Sequence, residues 1–82
     1  MIYKNVQEYF KHNDLPPAMG DEDKDFYEAV DQLIEIIKWE KFEVFDFNYL
    51  VNFLSEHFEV PVHHIEGEYR RHLRHLKKLG KN

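Results

Sequence analysis

The sequence predicts an all-α fold, a small four-helix domain that ends in a helix-turn-helix-like unit. Three observations carry that expectation. Apolar residues recur at three- and four-residue intervals through residues 22–40, 47–58 and 61–79. Each stretch opens on residues that favour a helix start. Between the last two lie only Glu59 and Val60 before Pro61, enough for a tight turn and nothing longer.

In chain order, Asn5-Val6-Gln7-Glu8 has capping-box spacing, and Val6, Tyr9 and Phe10 supply an apolar edge, so a short helix is expected over 5–12. Asn13 to Gly20 contains paired prolines, which disfavour helix at and before them, and reads as a loop. Acidic Asp21, Glu22 and Asp23 suit the positive end of a helix over 22–40. Its residues Phe26, Val30, Leu33 and Ile37 form an apolar stripe, widened by Ile34, Ile36 and Trp39, as expected of a central helix. Residues 41–45, Lys-Phe-Glu-Val-Phe, alternate like a strand but have no evident partner and are read as a connection. Asp46 is placed to cap a helix over 47–58, in which Phe47, Leu50, Val51, Leu54 and Phe58 share a face. Pro61 suits the first turn of a last helix, and Gly80 its end. The chain thus reads as one domain, with an N-terminal helix and Pro-rich loop (1–20), an acidic central helix and connection (21–45), and the helix-turn-helix-like unit (46–80).

Eighty-two residues leave little room for an enclosed catalytic cleft. Ser55 is the only serine, threonine is absent, and no nucleophile, base and orienting acid fall into a catalytic arrangement, so a non-enzymatic protein without a cofactor is expected. At 43% hydrophobic and 16% aromatic residues the chain can nonetheless build a core. The absence of cysteine rules out a disulfide framework and fits a reducing compartment, with the cytoplasm the default. The N-terminus lacks the apolar core of a signal peptide, and no apolar run reaches the ~20 residues that span a bilayer, so no membrane partner is expected.

The net charge of −5 hides a split. Residues 1–60 hold five Lys/Arg against fourteen Asp/Glu, a balance of −9, whereas residues 61–82 hold six against two, a balance of +4. Placed at about 100° per residue, the last helix puts Val62, Ile65, Tyr69, Leu73, Leu76 and Leu79 on one side. His63, Arg70, Arg71, Arg74, Lys77 and Lys78 fall on the other. Between them runs a ridge of His64, Glu68, His72 and His75. Imidazole and carboxylate one turn apart can ligate zinc, but no recognised pairing such as His-Glu-x-x-His is present. No metal is therefore expected; the ridge reads as the wet flank of an amphipathic helix, with a pH response below neutrality as the more modest functional possibility.

His57-Phe58-Glu59-Val60, followed by Ile65 and by Leu73-Arg74-His75-Leu76-Lys77-Lys78, resembles the helix-turn-helix in the C-terminal region of bacterial sigma factors and, more loosely, that of small transcriptional regulators. The resemblance covers about residues 50–78. It implies a promoter-binding or polymerase-associated module whose second helix lies in the DNA major groove. The chain departs from the pattern at Glu59, where a small residue is usual, and at Glu68, where an apolar one is. The base-facing positions are Pro61, Val62, His63, Glu66 and Gly67, which hold few specific donors. Arg70, Arg71, Arg74, Lys77 and Lys78 come later and suit phosphate, with His63 and Glu66 nearest to bases.

The expected function is therefore a small regulatory protein that binds DNA, or DNA-bound transcription machinery, through its basic last helix. The alternative is an acidic adaptor or inhibitor acting through Glu28, Asp31, Glu35 and Trp39, which resembles small phage host-takeover proteins in size and charge alone. The aromatic residues Tyr3, Tyr9, Phe10, Trp39, Phe42 and Phe45 are expected mainly in the core, with a homodimer left open.

Overall fold

Leu33, Leu50, Leu54 and Ile65 are wholly removed from solvent, and the three helices that carry them pack around one another. In the computed structural model, which describes residues 2–79 apart from the Leu79 side chain, the order is β1 (Ile2–Tyr3), α1 (Val6–His12), α2 (Glu22–Trp39), β2 (Lys41–Phe42), α3 (Phe47–Phe58) and α4 (Val62–Leu79). Gly80, the expected stop of the last helix, lies outside the described residues.

The helix starts follow from capping. Asn5 accepts the Glu8 N–H at 2.9 Å, Asp21 accepts those of Asp23 and Lys24 at 3.0 and 3.2 Å, and Asp46 accepts that of Tyr49 at 3.0 Å. Each side chain thereby satisfies N–H groups that the first turn leaves without a partner. The capping box at α1 differs by one residue from the usual form, because the Glu8 carboxylate accepts the N–H of Lys4 at 2.8 Å rather than that of Asn5.

Residues 41–42 are a strand and not a plain connection. Ile2 pairs with Lys41 and Tyr3 with Phe42 in a parallel two-stranded ladder. The ladder is prolonged by the N–H of Glu43 donating to the Tyr3 carbonyl at 2.8 Å and that of Val44 to Lys4 at 3.1 Å. A two-residue strand has no period to recognise, and its partner lies at the far end of the sequence.

Aromatic rings fill the space between the ladder, α1 and α3. Tyr9 meets Tyr3 edge-on at 5.1 Å and Phe42 at 6.0 Å, while Phe10 stacks flat on Phe53 at 4.1 Å. Burial, with smaller contributions from Glu40 and Tyr3, pushes the Tyr9 phenol above its ordinary range. Tyr3 is buried and Tyr9, Phe10 and Phe42 are half-buried, but Phe45 and Trp39 stand exposed, so the aromatic set divides between core and surface.

The loop over 13–20 is tied at both sides. Asp25, only 5% exposed, accepts the N–H groups of Met19 and Gly20 at 2.8 and 3.0 Å. A ring nitrogen of His57 lies 2.7 Å from the Pro16 carbonyl. Among the described residues no helix is long and apolar enough to cross a membrane.

Candidate functional site

The basic helix is held at its start by a turn that Ser55 organises. Glu59 adopts the left-handed conformation (φ 57°, ψ 47°), the geometry for which glycine is usual, and its N–H and that of Val60 both point at the Ser55 carbonyl. The Ser55 hydroxyl donates to the Val60 carbonyl at 2.6 Å, closing the turn from the other side. The Pro61 carbonyl accepts the N–H groups of His64 and Ile65, so Pro61 sits one residue ahead of the helix. With Phe58, Val60 and Ile65 buried on both sides of it, the turn anchors the α3–α4 pair in the core.

Burial fades along α4. Ile65 is fully buried, and Val62 and Tyr69 are half-buried, the latter with its ring 5.5 Å from Phe47 at the start of α3. Leu73 and Leu76 continue the same stripe yet are 45% and 49% exposed. Tyr69 already packs on the first residue of α3, and α3 has 12 residues to the 18 of α4, about 18 and 27 Å of helix, so Leu73 and Leu76 run past α3, although α2 still flanks α4 as far as Arg74.

All five residues expected to meet phosphate are exposed on α4. Arg70 lies 3.7 Å from Glu66 and Arg71 lies 3.5 Å from Glu68, one turn back on their own helix. Both arginines are more than two-thirds exposed, so these pairs are weak. Among the described residues Arg74, Lys77 and Lys78 make no ion pair. His63 is exposed and Glu66 half-buried, and the neighbouring hollow at the turn is bordered by Glu22, Asp25 and Glu59. Glu59 thus precedes α4 and Glu66 and Glu68 lie in its first half, while the cations begin at Arg70 and gather in its second half.

A shallow groove of about 500 Å³ separates α4 from the first half of α2. Phe26 and Tyr27 form one wall and His63, His64, Gly67, Glu68, Arg71 and Arg74 the other. His64 meets His63 edge-on at 4.5 Å and Phe26 at 6.3 Å. At Gly67 an added Cβ would meet no atom within 4 Å, so nothing in this chain requires glycine there. Of the ridge His64, Glu68, His72 and His75, the two first line the groove. Among the described residues no three His, Asp or Glu side chains converge on a metal position.

The outward side of α2 carries Tyr27, Asp31, Glu35 and Trp39 at four-residue intervals, all exposed, with half-buried Glu28 beside them. Glu28 accepts a hydrogen bond from the Gln32 amide at 2.9 Å, and the Lys38 ammonium sits 5.1 Å over the Trp39 ring. Partial burial, then the charges of Glu28 and Glu35, push the Asp31 carboxyl above its ordinary range.

The structure thus brings His63, Arg71 and Arg74 together in the groove and leaves Lys77 and Lys78 on the last turn. Tyr27 and Gly67 were not singled out from the sequence as groove residues. A glycine inside a strong helical pattern, and a tyrosine four residues before Asp31, were the available signals. No protein-family model, curated protein or solved structure matches this chain.

Proposed function

We propose that the chain is a small non-enzymatic regulatory protein that binds nucleic acid, duplex DNA first, through phosphate contacts from the exposed face of α4. The observation that carries this reading is the division of α4: an apolar side seated on the body through Val62, Ile65 and Tyr69, and Arg70, Arg71, Arg74, Lys77 and Lys78 directed to solvent. The left-handed turn at Glu59, with Phe58, Val60 and Ile65 buried around it, favours a helix-turn-helix-like unit. The carboxylates before and within the first half of α4, Glu59, Glu66 and Glu68, favour contact through its second half, which positions a duplex without reading its bases.

Fluorescence anisotropy of a mixed-sequence duplex at low and moderate salt tests the reading. Binding that weakens with salt, and weakens further in Arg74→Ala/Lys78→Ala, is the expected result. Absence of binding at low salt, or binding indifferent to the double substitution, overturns it.

The second reading is a protein-binding adaptor or inhibitor working through α2. Its specific support is the row of Asp31, Glu35 and Trp39, with Trp39 61% exposed in a molecule that had core positions for other rings. Loss of partner capture on reversing Asp31 and Glu35, with DNA binding absent, would favour it.

A further inference from the structure

The groove between α2 and α4 joins two surfaces of opposite sign. The exposed side of α2 carries the row Tyr27, Asp31, Glu35, Trp39, of which Tyr27 lines the groove; that of α4 carries the row Arg70, Arg74, Lys78, of which Arg74 lines it. Both rows have four-residue spacing, about 6 Å per step along a helix, so the charges of one match the charges of the other in interval. Yet among the described residues no ion pair joins α2 to α4, although the two helices pack together. The charged residues of both rows are exposed and, among the described residues, form no ion pair with one another.

We propose that this bipolar surface is self-complementary, and that a second copy of the chain docks on it about a two-fold axis, acidic α2 of each copy against basic α4 of the other. A two-fold interface uses the same patch on both partners, and a patch that is acidic on one half and basic on the other satisfies it twice. Tyr27 and Trp39, 60% and 61% exposed at the ends of the acidic row, offer flat rings to the incoming guanidinium groups. Gly67, which lines the groove and has open space where a Cβ would stand, allows close approach of a partner helix where any other residue would project. A mid-helix glycine weakens a helix relative to alanine, and the chain's own packing gives no reason for it.

The inference stands on charge and geometry and is independent of the nucleic-acid reading, with one consequence for it: a second copy and a phosphate backbone compete for Arg70, Arg74 and Lys78.

Sedimentation equilibrium of the whole chain, at high micromolar concentration and in low and high salt, is the test. The native chain should show the mass of two copies at low salt and one at high salt. Asp31→Lys/Glu35→Lys and Arg70→Glu/Arg74→Glu should each be monomeric at low salt, with dissociation constants raised at least tenfold and unchanged helical circular dichroism as the check of folding. An equimolar mixture of the two variants should recover the two-copy mass, because each reversed face then meets its complement. A monomer under all conditions, variants that still dimerise, or a mixture that stays monomeric would each overturn the proposal. None of these readouts involves DNA. A dimer without DNA binding leaves this inference standing and removes the other; DNA binding by a strict monomer does the reverse.

Discussion

The two halves of α4 repeat one amphipathic pattern and do different work. In the first half Ile65 is fully buried and Tyr69 packs on Phe47; in the second Leu73 and Leu76 keep the spacing but are nearly half exposed. The difference is not in the residues but in what lies beneath them. α3 ends its support near Tyr69, so the first half is fixed to the body on α3 while the second, past α3, leaves its leucines half exposed beside the cations. An apolar stripe read from sequence says which side of a helix seeks cover, not how far along the helix cover is available.

Substitutions that separate the halves should differ most in stability. Ile65→Ala removes side-chain volume from the closed core and should cost about 2–5 kcal/mol. Leu73→Ala, at a half-exposed site, should cost under about 1 kcal/mol on area grounds. Urea unfolding of both variants checks the contrast, and equal losses would mean that the second half of α4 is covered after all.

Next in size is the effect of the cations. Arg74→Ala/Lys78→Ala should lower duplex affinity by roughly tenfold at low salt while the thermal midpoint moves little, since neither side chain makes an ion pair among the described residues. Anisotropy and a melting curve on the same sample separate binding from folding.

The junction of α3 with α4 sharpens the comparison from the other side. Glu59 holds a left-handed conformation that costs an ordinary residue about 1 kcal/mol, so Glu59→Gly should stabilise the chain by up to that amount. A destabilised variant would show that the Glu59 side chain contributes more than its backbone strain removes.

The smallest expected effect concerns α2. Because the folded-state pKa of Asp31 is raised, its ionised form is disfavoured by folding, and that penalty is complete once the pH is above the folded-state value. It fades as the pH falls through that value towards the ordinary carboxylate one. Asp31→Asn should therefore melt slightly higher than the native chain at neutral pH, with the advantage vanishing in acid. An advantage that grows in acid would contradict the sign.

Much of the fold was legible because local chemistry decides it. Asn5 and Asp46 each cap the helix that they were expected to open, Asp21, read only for its charge, caps α2, and the ends of α3 fall where periodicity placed them. What escaped depends on distant residues. The β1–β2 ladder joins two dipeptides that carry no pattern of their own. Asp25 holds the loop through Met19 and Gly20, a role that no local pattern announces, and Ser55, conspicuous in the sequence only as the single serine, closes the turn before α4. The exposed cations of α4 followed from angular position alone. Their neighbourhood with Tyr27 and Gly67 did not, because it depends on how α2 lies against α4.

The most direct test of the central claim, that the second half of α4 meets phosphate, is the salt dependence of duplex affinity in the native chain and in Arg74→Ala/Lys78→Ala. A log–log slope shallower in the variant by about 2, one for each cation removed from a phosphate, is the predicted result. An identical slope in both proteins would contradict the claim and place any nucleic-acid contact elsewhere on the molecule.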